Sequence, residues 1–243
     1  MNTIADNLAA VRAVISEAAA RAGRNPADVE LVAVTKTHPP DSVVEALAAG
    51  QYVFGESRVQ EAKAKIPLVS GRARWHFIGH LQRNKIRQAL ALGFELLHGV
   101  DSLETAREVD RLTSETGVFP RVLLEVNVAG ESSKFGFSPA KLREQLEELL
   151  SLGRLQIEGL MTIAPFAPEA ESSRKYFVAL RELRDQLQTE FRLPLPRLSM
   201  GMSGDYAVAV EEGATLVRVG TAIFGTRSGK AWKPSAESAT FDD

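Results

Sequence analysis

The stretch Glu30-Leu-Val-Ala-Val-Thr-Lys-Thr-His-Pro-Pro-Asp-Ser-Val-Val-Glu-Ala-Leu-Ala-Ala-Gly50 passes from a short apolar run into a helical pattern closed by glycine. A run of Leu, Val and Ala with little polar alternation suits a parallel strand buried on both faces. Asp41 is placed to cap Ser42–Ala49, and Gly50 stands where a helix terminator belongs. One strand followed by one helix is the unit of an α/β fold, and the question is how often it recurs.

Seven more strand-like runs follow: Tyr52–Phe54, Trp75–Ile78, Glu95–Val100, Arg121–Val128, Gln156–Met161, Arg197–Met200 and Leu216–Val219. Helix signals lie between them. Asp101 followed by Glu104 resembles a capping box opening a helix to Glu115, with Gly117 after it. Ser138-Pro139 pairs a cap residue with a proline at the first helical position. Phe177, Leu180, Leu183, Leu187 and Phe191 form the apolar stripe of a long helix. Eight strand–helix units in 243 residues fit a single (β/α)8 barrel, with a doubly wound open sheet as the competing architecture. Ahead of the first unit, Ile4, Leu8, Val11, Ile15 and Ala18 recur at helical spacing, which adds an N-terminal helix. The barrel is expected over residues 1–228, and a disordered tail over 229–243, where no apolar period survives.

Composition narrows the function. Hydrophobic residues at 44% and charged residues at 25% are ordinary for a globular chain and leave no bilayer-length apolar run. The net charge of -2 gives no broad attraction to nucleic acid or anionic membrane. Without cysteine there is no disulfide, thiolate zinc site or thiol nucleophile. His38, His76, His80 and His98 show no metal-ligand spacing. His76, inside an apolar run, reads as a hydrogen-bonded core histidine. The first helix carries Asp6, Arg12 and Glu17 and so lacks the apolar core of a signal peptide, and a cytoplasmic location is expected.

In such a barrel the chemistry gathers at the carboxyl ends of the strands. The residues there are Lys36, Glu56 with Ser57, His80 with Gln82, Asp101, Asn127, Thr162, Ser203 and Thr221. Lys36 has two readings: a rim lysine that snorkels to water, or an amine able to form a Schiff base with an aldehyde. Ser203-Gly204 follows the seventh strand and Gly220-Thr221 the eighth, the two loops that recurrently hold phosphate in this barrel. Either loop alone also reads as an ordinary turn. The cluster Arg83, Lys85 and Arg87 reads as a solvated helix face, and Gly220–Gly225 lacks the Lys of a P-loop.

Several blocks resemble one family. They are Ala33-Val-Thr-Lys36-Thr, Phe54-Gly-Glu56-Ser-Arg-Val-Gln-Glu61, Trp75-His-Phe-Ile-Gly-His80-Leu-Gln-Arg-Asn-Lys85, Lys134-Phe-Gly136, Gly159-Leu-Met161, Ser199-Met-Gly-Met-Ser203 and Val217-Arg-Val-Gly-Thr221-Ala-Ile-Phe-Gly225. In this order, over nearly the whole chain, they resemble the pyridoxal phosphate homeostasis protein family. The resemblance implies a single barrel like the N-terminal domain of bacterial alanine racemase, with pyridoxal 5'-phosphate (PLP) held as a Schiff base on Lys36. It places the cofactor phosphate on Ser203, Gly204 and the backbone around Gly220 and Thr221, with Arg218 facing the pyridine nitrogen. Ser57 departs from the asparagine of many family members, which puts a cofactor contact from that loop in doubt.

The resemblance implies a carrier that binds and releases PLP, without turnover of its own, for PLP-requiring apo-enzymes. A monomer is expected, with neither nucleic acid nor membrane as partner. An arginine at the pyridine nitrogen disfavours its protonation and weakens the ring as an electron sink. The alternative is a small PLP-dependent amino-acid racemase, which needs an acid/base on each face of its intermediate. Lys36 serves one face. Tyr52, Tyr176 and Tyr206 are the tyrosines on offer for the other, none within a matched catalytic motif, and the chain ends too soon after the barrel for a second domain.

Overall fold

In the computed structural model, which describes residues 2–225 and 232, each of the eight apolar runs forms a strand. They are β1 (Glu30–Val34), β2 (Val53–Glu56), β3 (Arg74–Phe77), β4 (Leu96–Val100), β5 (Arg121–Glu125), β6 (Gln156–Met161), β7 (Arg197–Ser199) and β8 (Leu216–Val219). All pair in parallel with their sequence neighbours, and β8 pairs with β1, so the sheet closes into a barrel and the open-sheet alternative falls away. The fifth strand is shorter than expected. Past Glu125 the chain keeps only an isolated bridge from Val126 to Phe137, and the Asn127 amide turns it by donating to the Glu131 carbonyl.

Outside the barrel lie α1 (Ile4–Arg21), α2 (Pro40–Ala48), α3 (Val59–Lys65), α4 (Ile86–Ala91), α5 (Leu103–Thr116), α6 (Pro139–Ser151), α7 (Arg174–Phe191), α8 (Tyr206–Glu211) and α9 (Thr221–Phe224). Helix α1 buries Leu8, Val11, Ile15 and Ala18, the stripe its spacing foretold, and closes on α8 and α9. Two expected caps differ. Asp41 lies inside the first turn of α2, because Pro39 and Pro40 preset the helix start two residues earlier; there it still complements the helix dipole. Ser102, not Asp101, caps α5 by accepting from the Thr105 N–H, which frees Asp101 to face the barrel mouth. Ser138 caps α6 as expected. The expected tail from residue 229 lies outside the described residues except for Trp232, whose N–H donates to the Thr37 carbonyl at 3.0 Å. Among the described residues no helix is long and apolar enough to cross a membrane.

Side chains of period two point inward along each strand and fill the barrel in layers. Val32, Val53, Leu96, Leu123, Met161 and Leu216 form the apolar waist. Below it, at the amino ends of the strands, six charged side chains close a ring of alternating sign. Arg74 reaches Glu30 at 2.5 Å and Glu95 at 3.2 Å; Arg121 bonds Glu95 at 3.3 Å and also Glu158; Arg197 bonds Glu158 at 2.8 Å and Glu30 at 3.4 Å. The ring is partly exposed, so its benefit per pair is modest, but it neutralises the floor of the barrel. Polar chemistry is thereby left to the opposite mouth.

Candidate functional site at the carboxyl mouth of the barrel

Lys36 sits just past β1, exposed, on a turn whose two flanks are fastened to α3. The Lys65 ammonium donates to the Thr35 carbonyl at 2.8 Å, and the Thr37 N–H donates to Glu61 Oε2 at 2.9 Å. Thr37 has φ +68°, a left-handed conformation that a β-branched residue rarely adopts. Such a residue persists only where its surroundings over-determine it. Here the bond that Thr37 donates to Glu61 and the one it accepts from Trp232 do so. Lys65 itself is fully buried and pairs with Glu56 Oε1 at 2.5 Å, while the Thr35 hydroxyl donates to the same oxygen at 2.6 Å. Burial pushes the Glu56 carboxyl up, against the pull of Lys65 and of the Thr35 hydroxyl.

The next strand around the mouth supplies the cradle. Gly220, at the end of β8, donates its N–H to Ser203 Oγ at 3.2 Å, and Ala222 donates to the same oxygen at 3.4 Å. Two backbone donors from one loop therefore converge on the Ser203 hydroxyl oxygen. A Cβ at 220 would lie 3.2 Å from the Val34 carbonyl oxygen, a tight contact, and that closeness seats the cradle against the strand that carries Lys36. Thr221 is exposed at the start of α9. Gly204 is exposed too, and a Cβ there would meet open space, so packing does not demand glycine at that position.

Arg218 points from β8 into the barrel below the cradle and is 4% exposed. Its Nη1 donates to Ser199 Oγ at 2.5 Å and its Nη2 to the Thr162 carbonyl at 2.9 Å. Burial lowers its pKa to about 10, opposed by Glu125 and Asp205, so it stays charged at neutral pH. Glu125, at the end of β5, is pushed up to about 7 by burial and by Asp101, with Arg218 pulling it back. Asp101 accepts from the Thr105 hydroxyl at 2.9 Å and lies 2.8 Å from His80 Nδ1; the His80 ring stacks on Phe135 with centroids 3.7 Å apart.

Lys36, Ser203, Gly220, Thr221 and Arg218 thus come from β1, β7 and β8, three neighbouring strands of the closed barrel. Ser57 stands elsewhere on the rim, lining a cavity of about 370 Å³ with Gln82 and Lys85. Sequence reasoning missed Glu125, Ser199, Lys65 and the partnership of His98 with His76. The available signal was a polar residue within an apolar strand run, as at Ser199 and His98. Lys65 gave none, since a lysine ending a short charged helix reads as solvated.

The chain matches the family described as alanine racemase, N-terminal domain, over residues 7–228. It is 43% identical over 223 residues to the pyridoxal phosphate homeostasis protein of Aquifex aeolicus, covering 91% of this chain and 97% of that one. To the pyridoxal phosphate homeostasis protein of Escherichia coli it is 42% identical over 233 residues, covering 93% and 98%. Among solved structures, PipY of Synechococcus elongatus with PLP bound superposes with a TM-score of 0.82 at 41% identity, over 92% of this chain and 100% of that chain. Alanine racemase of Clostridium difficile, at 16% identity and a TM-score of 0.72 over 95% of this chain and 57% of that one, shares the fold. Identity of this order along almost the full length, on a closed barrel with an N-terminal helix, makes the chain a member of the pyridoxal phosphate homeostasis protein family.

Proposed function

We propose that the chain binds pyridoxal 5'-phosphate and serves its homeostasis as a carrier, holding the cofactor covalently on Lys36 and passing it to acceptors without turnover of its own. One observation carries this reading. An exposed amine, two converging backbone N–H groups and a buried guanidinium stand on three successive strands around one mouth. The residues fit the group. The cofactor brings an aldehyde for the amine, a phosphate for the N–H pair and a ring nitrogen for the guanidinium.

Each residue then has a distinct task. Lys36 supplies the nucleophile, on a turn whose geometry α3 dictates. Ser203, Gly220 and Thr221 bind the phosphate, where backbone donors already aimed at one point lose little freedom on binding. Gly204 leaves that loop open to solvent. Arg218 would donate a hydrogen bond to the ring nitrogen and keep it from taking a proton, a state that favours retention of the cofactor over carbanion chemistry. This supports the carrier over the racemase. The acceptors are PLP-requiring apo-enzymes, and the chain works as a cytoplasmic monomer.

The deciding experiment is the visible spectrum of wild type and Lys36→Ala after incubation with PLP, followed by borohydride reduction and peptide mapping. A band in wild type that the variant lacks, with the reduced adduct on Lys36, is the expected result. An adduct mapped to another lysine defeats the anchor, and no adduct defeats the reading. Loaded wild type is expected not to interconvert alanine enantiomers; turnover abolished by Lys36→Ala would restore the racemase.

A further inference from the structure

Four buried polar side chains stand in file inside the barrel, where apolar residues would pack at no electrostatic cost. Arg218 is 4% exposed, and Ser199, His98 and His76 are 0% exposed. Arg218 Nη1 is 2.5 Å from Ser199 Oγ, Ser199 Oγ is 2.9 Å from His98 Nδ1, and His98 Nε2 is 3.1 Å from His76 Nδ1. The direction of these bonds follows from valence. A guanidinium only donates, so Ser199 Oγ accepts from Arg218. If the serine's single hydrogen goes to His98 Nδ1, that imidazole carries its own hydrogen on Nε2 and donates to His76 Nδ1. His76 then carries its hydrogen on Nε2.

The opposite direction is worse satisfied. Were His98 to donate from Nδ1, Ser199 Oγ would accept twice, and its own hydrogen would have no acceptor among the described residues. His76 would then donate from Nδ1 to His98 Nε2 and leave a bare acceptor at its far end. The forward chain has one loose end, the His76 Nε2–H, and that buried atom is the one without a partner. A buried network that runs one way and is nearly fully satisfied is stiff, because turning any member breaks the bonds on both of its sides.

We propose that Ser199, His98 and His76 form a one-directional hydrogen-bond chain that positions Arg218, fixing its guanidinium at the floor of the cofactor site with both imidazoles locked as neutral Nε2–H tautomers. Their role toward the cofactor rests on the reading that Arg218 faces its ring nitrogen. The surroundings oppose a charged imidazole at either place. Burial, then Arg197, Arg74 and Arg121, holds His76 down to about 3, and burial, then His76 and Arg218, holds His98 well below its ordinary value. The bond from Nη2 to the Thr162 carbonyl supplies a second anchor, so the guanidinium plane is set from two strands. Thr162 and Ser199 thereby act on a ligand neither would touch.

Two measurements test this. In ligand-free protein with 15N-labelled histidine rings, two-bond proton–nitrogen correlations at neutral pH should show His76 and His98 both as neutral Nε2–H tautomers. An Nδ1–H tautomer or a cation at either overturns the chain whatever the cofactor does. Ser199→Ala should then disturb the His98 ring signals and speed PLP release roughly ten-fold, the usual effect of losing one bond to a charged group. The borohydride-reducible adduct should still map to Lys36, and Ser199→Thr should restore slow release. Release as slow as in wild type, or unmoved His98 signals, would refute the positioning role. Failure of wild type itself to form the Lys36 adduct would instead strike the cofactor reading and leave the tautomer result standing.

Discussion

Glu125 offers a pH-dependent test of the site that needs no ligand. Its carboxyl moves from an ordinary 4.5 to about 7 on folding, because burial and Asp101 disfavour the charge more than Arg218 favours it. The folded state therefore holds the proton more tightly than the unfolded state. Below the unfolded value both states are protonated and the group is neutral to stability. As pH rises towards 7 the unfolded chain gives up its proton first, and folding is progressively penalised; above the folded value the penalty is complete. At about 1.4 kcal/mol per tenfold difference in proton affinity, it reaches about 3 kcal/mol. Glu125→Gln mimics the protonated form in the same shape, so its advantage over wild type should grow from below about 1 kcal/mol near pH 5 to about 3 kcal/mol near pH 8. Urea denaturation of both proteins at the two pH values measures this. An advantage that is absent, or equal at both pH values, would refute the argument that the carboxyl is desolvated beside a like charge.

Three further perturbations bear on the turn and the cradle. Lys65→Met removes one partner of a fully buried ion pair and the donor to the Thr35 carbonyl, and should cost about 3 kcal/mol. The double variant Glu56→Gln/Lys65→Met should recover part of that loss, and urea midpoints showing no recovery would mean the stranded Glu56 is not the source of the cost. Thr37→Gly should stabilise by about 1 kcal/mol, since it relieves the left-handed φ of +68° and deletes a buried hydroxyl that has no partner among the described residues; a lower melting temperature would count against the strain. Gly220→Val drives a side chain against the Val34 carbonyl and should speed PLP release at least roughly ten-fold while the adduct still maps to Lys36, and unchanged release in stopped-flow dilution would remove Gly220 from the cradle.

How much of this was legible in the sequence depends on what each residue packs against. Strands β1, β4, β6 and β8 announced themselves because each carries apolar residues on both faces, one set on the barrel waist and one on the helices. Lys36, Ser203, Gly220 and Thr221 were legible because a barrel's chemistry lies just past its strand ends, so finding the strands locates the candidates. Two helix starts were misplaced because prolines and a competing serine stood next to the acidic residue that pattern favoured. Helix α3 stayed hidden for a different reason. Its Val-Gln-Glu-Ala-Lys-Ala-Lys sequence has no apolar stripe, since Glu61 and Lys65 turn inward to hold the Lys36 turn instead of outward to water.

The same logic explains why the polar residues inside the barrel escaped notice. Inward positions of neighbouring strands lie within reach of one another only once the sheet has closed, and closure is a property of all eight strands together. Arg74 and His76 are two apart on β3, as are Arg197 and Ser199 on β7, so each pair lies on one face of its strand and looks inward. Along the sequence these are lone polar residues in apolar runs. Around the axis the first members join the charge ring, and the second members join the chain that ends on Arg218. The polar interior is thus divided. Charge that stays paired and partly wet closes the floor, while above it the polar groups among the apolar side chains of the waist are two imidazoles and a hydroxyl. Arg218, a buried cation at the mouth, is held from below by Ser199 and from the side by the Thr162 carbonyl. A floor of unpaired charge would pull that arginine's field out of balance; a waist of leucine alone would leave the guanidinium without its Ser199 anchor.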